Sequence, residues 1–253
     1  MSAAPELTIV IPAFNEEARL PTTLAQISAY IRASKRETEV IVVDDGSRDR
    51  TADVARSFAK EIRHLRVISN GNNRGKGFSV RRGLLEAKGR LVLFTDADLS
   101  APIEEADKLL AALVEHDVAI GSRAMDRRLI SVRQSVFREY AGIMFNLIVR
   151  AVLRLPFVDT QCGFKAFRRE PCRIIFQQQR IERFGFDPEL LYLARHHGLR
   201  AVEIPVRWAH STETKVSMLR DSIQMFLDIF LIRWNGLAGR YPHGRGNFAS
   251  QST

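Results

Sequence analysis

Short apolar segments alternate with longer amphipathic segments along the first half of the chain. The apolar runs predict five buried strands, at Leu7–Ile11, Val40–Val43, Leu65–Ile68, Leu91–Phe94 and Val118–Ile120. The amphipathic stretches between them predict four helices, at Glu16–Ala33, Asp49–Lys60, Gly75–Ala87 and Ile103–Glu115. This alternation predicts an α/β fold, with a mostly parallel central sheet flanked by helices. Ligands of such folds bind beyond the carboxyl ends of the strands.

Two long amphipathic helices are predicted in the second half, at Ser131–Leu155 and Ser217–Trp234. The polar positions of the first helix step by four and form a narrow stripe, made of Arg138, Gly142, Asn146, Arg150 and Arg154. Neither helix reaches the roughly 18 uncharged apolar residues that a membrane-spanning helix needs. We therefore expect both helices to lie in the plane of a membrane surface. Packing on the core, or in a dimer seam, is the alternative.

Four polar motifs lie at strand ends or helix starts. They are Ile11-Pro12-Ala13-Phe14-Asn15-Glu16-Glu17, Val43-Asp44-Asp45-Gly46-Ser47-Arg48-Asp49, Asn73-Arg74-Gly75-Lys76-Gly77 and Thr95-Asp96-Ala97-Asp98-Leu99-Ser100. Each alone has an ordinary alternative, such as a helix cap at Asn15 or Asp45. A glycine-flanked helix start attracts phosphate. Asp96 and Asp98, one residue apart, suit Mg²⁺ or Mn²⁺ held together with a diphosphate.

The charge of the chain is strongly basic and unevenly distributed. The 38 Lys and Arg residues outnumber the 29 Asp and Glu residues, which gives a net charge of +9. Residues 123–173 hold 11 basic and 4 acidic residues, so 11 − 4 = +7 of that charge lies there. We expect an anionic lipid or a phosphate-bearing substrate as partner. Nucleic acid is not expected, because aromatic interleaving and a DNA-reading helix are missing from the sequence. Cys162 and Cys172 fit neither a zinc site nor a redox pair, which favours reduced cytosolic thiols.

Taken together, the four motifs resemble the family 2 glycosyltransferases of GT-A (nucleotide-diphospho-sugar transferase) fold. Four later segments resemble the dolichyl- and polyprenyl-phosphate sugar synthases: Gly121-Ser122-Arg123, Asp159-Thr160-Gln161-Cys162-Gly163-Phe164-Lys165-Ala166-Phe167, Phe184-Gly185-Phe186-Asp187-Pro188-Glu189-Leu190-Leu191 and Val206-Arg207-Trp208. The second of these most resembles the dolichyl-phosphate β-glucosyltransferase branch. The resemblance implies an inverting transfer of a hexose from a nucleotide-diphospho-sugar to a polyprenyl or dolichyl phosphate. Glucose from UDP-glucose is favoured, and GDP-mannose is the alternative donor.

The motifs and the resemblance together indicate the residues of the site. Residues expected to bind the donor are Pro12, Ala13, Asn15, Glu16, Asp44, Asp45, Arg74, Lys76, Asp96, Ala97 and Asp98. The metal ligands among them are Asp96 and Asp98. A lipid monophosphate has a second pKa of about 6 and needs cations more than a base. The candidate cations for that phosphate are Arg123, Arg138, Lys165, Arg207 and Lys215. The candidate catalytic residues are Asp98, Asp159 and Asp187, and either of the last two could be a base or could orient the sugar or an arginine.

The expected organisation is one domain over residues 1–235, with a nucleotide-sugar half at 7–121 and an acceptor-binding, membrane-facing half at 122–235. A disordered tail is expected at 236–253. The N-terminus lacks a signal-peptide pattern, so we expect a cytoplasmic protein attached peripherally to a membrane. Relatives usually carry an N-terminal anchor or C-terminal spanning helices. Two alternatives are a glycosyltransferase with a hydroxyl acceptor and a carboxylate base, and a non-catalytic nucleotide-binding protein. A homo-oligomer is also left open.

Overall fold

The computed structural model of the chain describes residues 4–132, 136–209 and 218–242. The strands within these residues are β1 (Leu7–Ala13), β2 (Thr38–Asp44), β3 (Leu65–Ser69), β4 (Leu91–Thr95), β5 (Val118–Ser122), β6 (Ile130–Val132), β7 (Phe164–Arg168), β8 (Ala201–Pro205) and β9 (Trp208–Ala209). The α-helices are α1 (Leu20–Ser34), α2 (Thr51–Ser57), α3 (Lys76–Glu86), α4 (Ala106–Ala112), α5 (Val136–Leu153), α6 (Arg169–Gln178), α7 (Phe186–His196) and α8 (Met218–Leu237).

Seven strands form the central sheet, in the order β3-β2-β1-β4-β7-β5-β8. Six of them run parallel, and β7 runs antiparallel between β4 and β5. The mostly parallel sheet and its first five strands are thus confirmed. Each face of the sheet buries its own apolar cluster beneath helices, which is why β1, β2 and β4 are mostly apolar and are buried along their whole length. The carboxyl ends of the parallel strands all meet at one edge.

Four strands, β6 to β9, were missed by the sequence pattern, and one predicted helix starts too early. Strand β7 carries charged residues at Lys165 and Arg168, which hide its apolar character. The helix predicted from Ser131 is wrong at its start, because Ile130 and Val132 form β6 and pair with β9. The helix itself begins at Val136.

The ordered chain continues past residue 236, where the sequence predicts a disordered tail. Helix α8 runs to Leu237, and the Tyr241 side chain is buried beyond it. The Tyr241 hydroxyl donates a hydrogen bond of 2.6 Å to the buried Glu189 carboxylate, which anchors this end of the chain. Residues 243–253 lie outside the described residues.

We expect Gly83→Ala to destabilise the fold by about 1–3 kcal/mol, the usual cost of an extra methyl group in a packed core. A Cβ at Gly83 in α3 would lie 2.3 Å from Val10 Cγ1 and 3.1 Å from Val43 Cγ2. Urea denaturation followed by circular dichroism measures the change.

The matched control is Gly142→Ala, since a Cβ at Gly142 would meet no atom within 4 Å. Alanine is the better helix former there, so this variant should gain up to about 1 kcal/mol. Equal destabilisation of the two variants would contradict the packing of α3 on β1 and β2.

Candidate active site

The turns after β1 and β2 and the loop before α3 pack against one another at the carboxyl edge of the sheet. The Asp45 N–H donates to the Ala13 carbonyl oxygen at 2.8 Å, which joins the first two turns. Gly46 has φ +71°, and a Cβ there would lie only 2.5 Å from the Asn72 backbone. Glycine is required at this position both by its left-handed backbone and by the close approach of the next loop.

Two buried carboxylates after β2 accept hydrogen bonds that hold the loops at this edge of the sheet in place. Asp45 Oδ1 accepts hydrogen bonds from Asn70 Nδ2 at 2.7 Å and from the Arg74 N–H at 3.0 Å, and Oδ2 accepts from the Gly75 N–H at 2.8 Å. Asp44 accepts from the Ser47 N–H at 3.2 Å. Asp45 therefore shapes the turn that begins α3, and its oxygens are occupied by protein donors.

The loop after β1 is fastened to the loop after β2. Asn15 has φ +53° and does not cap α1, which begins at Leu20. Instead, its N–H donates to Ser47 Oγ at 2.9 Å and its Oδ1 accepts from the Arg48 N–H at 2.8 Å. The Glu16 carboxylate pairs with Arg19 at 2.6 Å. Pro12 and Ala13 end β1 directly beside these residues.

Lys76 and Asp96 form an ion pair where α3 meets the end of β4. Lys76 Nζ lies 2.6 Å from Asp96 Oδ1. Burial opposes the charge on Lys76, but Asp96 above all, with Asp187 and Asp98, raises the pKa of Lys76. Burial also raises the pKa of Asp96, and the nearby Asp98 adds to this shift, while Lys76 opposes it. One ammonium group therefore faces several carboxylates, which leaves this end of the site electronegative.

The turn that carries Asp96 and Asp98 is held in place from two sides. Thr23 Oγ1 of α1 donates to the Ala97 carbonyl oxygen at 2.6 Å, and the Ser100 N–H donates to Asp98 Oδ1 at 3.0 Å. A Cβ at Gly163 would lie 2.1 Å from Asp96 Oδ2, so only glycine leaves room for this carboxylate. Among the described residues, no group of three His, Cys, Asp or Glu side chains converges on one metal position. Two carboxylates suit a cation whose other ligands come from a diphosphate.

Lys165 and Asp187 form a second, fully buried ion pair. Lys165 lies on β7 with no exposed surface, and its ammonium group donates to Asp187 Oδ1 and to the Cys162 carbonyl oxygen. Asp187 lies in the first turn of α7 and is 5% exposed. The charge of Lys165 is thus matched within the protein, in a position that fixes α7 to the sheet.

Arg123 and Asp159 form a third pair, with a forked geometry. Arg123 Nε lies 2.7 Å from Asp159 Oδ2 and Nη2 lies 2.8 Å from Oδ1, while the Arg123 N–H also donates to Oδ2 at 3.0 Å. Burial alone would raise the pKa of Asp159, but Arg123 outweighs burial and holds that pKa below its ordinary value. A carboxylate in this state is a poor general base. Asp159 instead orients the guanidinium, which also lies 5.5 Å from the centre of the Trp208 ring.

Two further predicted cations, Arg74 and Arg207, have other partners. Arg74 pairs with Glu182 at 2.6 Å and stacks on Phe78 at 3.9 Å. Arg207 pairs with Glu105 at 2.5 Å. Arg138 belongs to α5, but its side chain, like all of Lys215, lies outside the described residues.

Several residues of the site were not predicted from the sequence as site residues. Ser100, Gly163 and Trp208 line one small cavity together with the predicted Asp96. Gly163 and Trp208 stand inside the quoted motifs, so the sequence contained a signal for them. Asn146 and Glu203, which hold the Asp159 loop, are distant in sequence and carry no motif.

Comparison with known proteins agrees with the motifs. The family described as glycosyl transferase family 2 matches residues 8–176. The dolichyl-phosphate beta-glucosyltransferase of Drosophila melanogaster is 39% identical over 251 residues, which cover 93% of this chain and 77% of that protein. The Homo sapiens protein of the same name is 34% identical over 254 residues, covering 95% and 78%. A structure of glucosyl-3-phosphoglycerate synthase from Mycobacterium tuberculosis with Mn²⁺ and UDP-glucose has a TM-score of 0.66 at 20% identity and covers 90% of this chain and 79% of that chain. The GT-A fold is thereby confirmed.

We expect Lys165→Met to lower the free energy of unfolding by about 3–5 kcal/mol, because it strands the buried Asp187 carboxylate. The double variant Lys165→Met/Asp187→Leu removes both charges and should recover most of this loss. Urea denaturation of the three proteins measures the difference. Wild-type stability of the single variant would show that the pair is not buried as described.

Proposed function

The chain belongs to glycosyl transferase family 2, and on this premise we propose that it transfers glucose from UDP-glucose to a polyprenyl phosphate such as dolichyl phosphate. The observation that carries the proposal is the Arg123–Asp159 pair beside the cavity that Asp96 and Trp208 line, since the Arg123 guanidinium lies 5.5 Å from the Trp208 ring. A fixed guanidinium suited to a phosphate acceptor, near a carboxylate suited to a metal and a sugar nucleotide, supports the proposal. The names of the relatives from fly and human support glucose and dolichyl phosphate. The solved structure with UDP-glucose supports the donor.

We propose that the donor lies on the loops after β1, β2 and β4. Asp44 and the Pro12–Glu16 loop would face the nucleoside, and Asp45 would keep the loop before α3 in shape. Lys76, at the first turn of α3, would meet the diphosphate, since helix starts and ammonium groups both attract phosphate. Asp96 and Asp98 would hold Mg²⁺ or Mn²⁺. When bound, this ion would neutralise the charge that develops on the leaving UDP.

The proposed chemistry needs a nucleophile but no general base. A phosphate oxygen of the lipid attacks the anomeric carbon of glucose, and a new carbon–oxygen bond forms as the bond to UDP breaks. UDP leaves with the electron pair, and the configuration inverts. Arg123 would orient the attacking phosphate through Nη1, which lacks a protein partner among the described residues.

The pairing of the acids favours this phosphate acceptor over a hydroxyl acceptor. A hydroxyl acceptor would need Asp159 or Asp187 as base. Asp159 is bound by the Arg123 fork, and Asp187 is bound by Lys165. Both oxygens of Asp159 and Oδ1 of Asp187 accept hydrogen bonds, so Asp187 Oδ2 alone of these four oxygens has no donor among the described residues.

Helices α5 and α8 support peripheral attachment to a membrane, because both expose apolar side chains in addition to those that they bury in the core. The inward face of α8 carries the buried polar residues Asp228 and Asn235. The outward faces carry exposed apolar residues: Tyr140, Ile143, Met144 and Leu147 on α5, and Ile223, Phe226, Leu227, Phe230, Leu231, Trp234 and Leu237 on α8. The two helices pack against each other, so these residues form one apolar face. Among the described residues, no helix is long and apolar enough to span a bilayer. In-plane insertion next to a lipid acceptor accounts for such a face.

The main test is transfer of labelled sugar to polyprenyl phosphate with Mg²⁺ or Mn²⁺, scored as label extracted into organic solvent. We expect UDP-glucose to give product and GDP-mannose to give little. Asp98→Asn should lower kcat by about 10²–10³-fold, the scale of losing one electrostatic stabiliser of the leaving group, and EDTA should act alike. The matched control is Asp53→Asn, an exposed carboxylate on α2. Full turnover by Asp98→Asn in EDTA would overturn the metal role, and no lipid product with any donor would overturn the function.

Flotation with anionic liposomes tests the membrane face. Wild-type protein should rise with the vesicles at low salt, and Phe226→Asp/Phe230→Asp should stay at the bottom, because charges on the apolar face oppose insertion. The control is Val114→Asp, which changes a residue that is 81% exposed and lies away from α5 and α8. Wild-type protein that fails to float but sediments as a dimer would assign this face to a second copy of the chain.

A further inference from the structure

The polar stripe of α5 does not face solvent at Asn146. Its amide Nδ2 donates to the Val158 carbonyl oxygen. Its Oδ1 accepts from Thr160 Oγ1 at 2.7 Å and from the Thr160 N–H at 3.3 Å. One side chain of α5 therefore fastens both ends of the segment 158–160, while the neighbouring residues Ile143 and Leu147 point outward.

The same segment is held from the opposite side by β8. Glu203 accepts hydrogen bonds from the Val158 N–H and the Asp159 N–H, both at 2.7 Å. Thr160 is completely buried between these two supports. Segment 158–160 is thus clamped between the sheet and α5, and it can shift only if one of the two supports moves.

The clamped segment carries the carboxylate that orients Arg123. Asp159 takes two guanidinium N–H groups and the backbone N–H of Arg123. A forked pair of this kind transmits a displacement of the carboxylate directly to the guanidinium. Asn146 therefore stands at the start of a short chain of contacts that ends on the proposed phosphate-binding cation.

We propose that Asn146 is a positioning residue for the acceptor phosphate, acting through Asp159 to set the orientation and depth of Arg123. The proposal rests on the proposed transfer to a lipid phosphate. The reason is geometric. Ile143 and Leu147, one turn apart on α5, are exposed on the face proposed to meet the bilayer, whereas Asn146 faces the site. The helix that would rest on the lipid surface thus also places the guanidinium that must meet a lipid phosphate at that surface.

Steady-state kinetics of the full chain with UDP-glucose and polyprenyl phosphate in anionic vesicles tests this role. Asn146→Ala should lower kcat/KM for the acceptor by about ten- to a hundredfold, the cost of a misplaced contact at the reacting group. The KM for UDP-glucose and the binding of vesicles should change less than about twofold, within the scatter of an uninvolved site. A fold that is merely weakened would affect the donor and the acceptor alike. The matched control is Gln177→Ala, which removes an amide from an exposed position on α6.

Two conservative substitutions of Thr160 test its hydrogen bond to Asn146. Thr160→Val removes the hydroxyl that binds Asn146 and should repeat the acceptor defect, whereas Thr160→Ser keeps the hydroxyl and should restore acceptor kinetics to near the wild-type values. The double variant Asn146→Ala/Thr160→Val should be no worse than Asn146→Ala alone, because Asn146→Ala already removes the contact of the Thr160 hydroxyl.

The outcomes separate this inference from the proposed function. Active wild-type enzyme with unchanged acceptor kinetics in Asn146→Ala, or equal losses for donor and acceptor, would overturn the positioning role alone. Wild-type enzyme that transfers no sugar to polyprenyl phosphate would overturn both.

Discussion

The site is organised by the need to compensate carboxylates that are buried at one edge of the sheet. An isolated carboxylate away from water costs several kcal/mol, so each one must find a cation or a set of N–H donors. Asp45 finds backbone donors, Asp96 finds Lys76, Asp187 finds Lys165 and Asp159 finds Arg123. These partners decide what each acid is free to do. Among the described residues, the end with Asp96 and Asp98 keeps an excess of negative charge, and the end with Arg123 presents a guanidinium whose Nη1 has no protein partner.

In the proposed function, this division of charge serves two phosphate-bearing substrates. The sugar nucleotide needs a cation between its diphosphate and the protein, which the electronegative end is suited to hold. The lipid phosphate needs a cation from the protein itself, which Arg123 is suited to supply. The two ends are joined by the segment that begins with Asp159 and ends with Lys165, since this loop holds Arg123 and leaves room beside Asp96 at Gly163. In the proposed function, helices α5 and α8 would present this arrangement to a membrane surface through their exposed apolar residues.

The sequence was sufficient for the first five strands and for the meeting of the four polar motifs at one edge, because buried parallel strands are largely apolar runs and their polar ends are adjacent by topology. The sequence did not predict β7, because a lysine within a short apolar segment is typical of an exposed position. Lys165 is instead buried against Asp187. Periodicity also wrongly predicted a helix at Ser131 and Val132, where pairing of β6 with β9 overrides the helical pattern. The roles of Asp159, Lys165 and Arg207 could not be assigned from spacing, because each depends on a partner more than 20 residues away. The disordered tail was predicted from composition alone. Composition does not reveal that Tyr241 donates a hydrogen bond to Glu189.

The central claim is that the carboxylates after β4 grip a divalent ion against a sugar nucleotide, with Arg123 left to face the acceptor. Crystals grown with UDP-glucose and Mn²⁺, measured at the manganese absorption edge, test it most directly. The account predicts an anomalous peak within bonding distance of Asp98 and the diphosphate, with the glucose between that peak and Arg123. A peak elsewhere, or a nucleotide bound away from the ends of β1, β2 and β4, would contradict it.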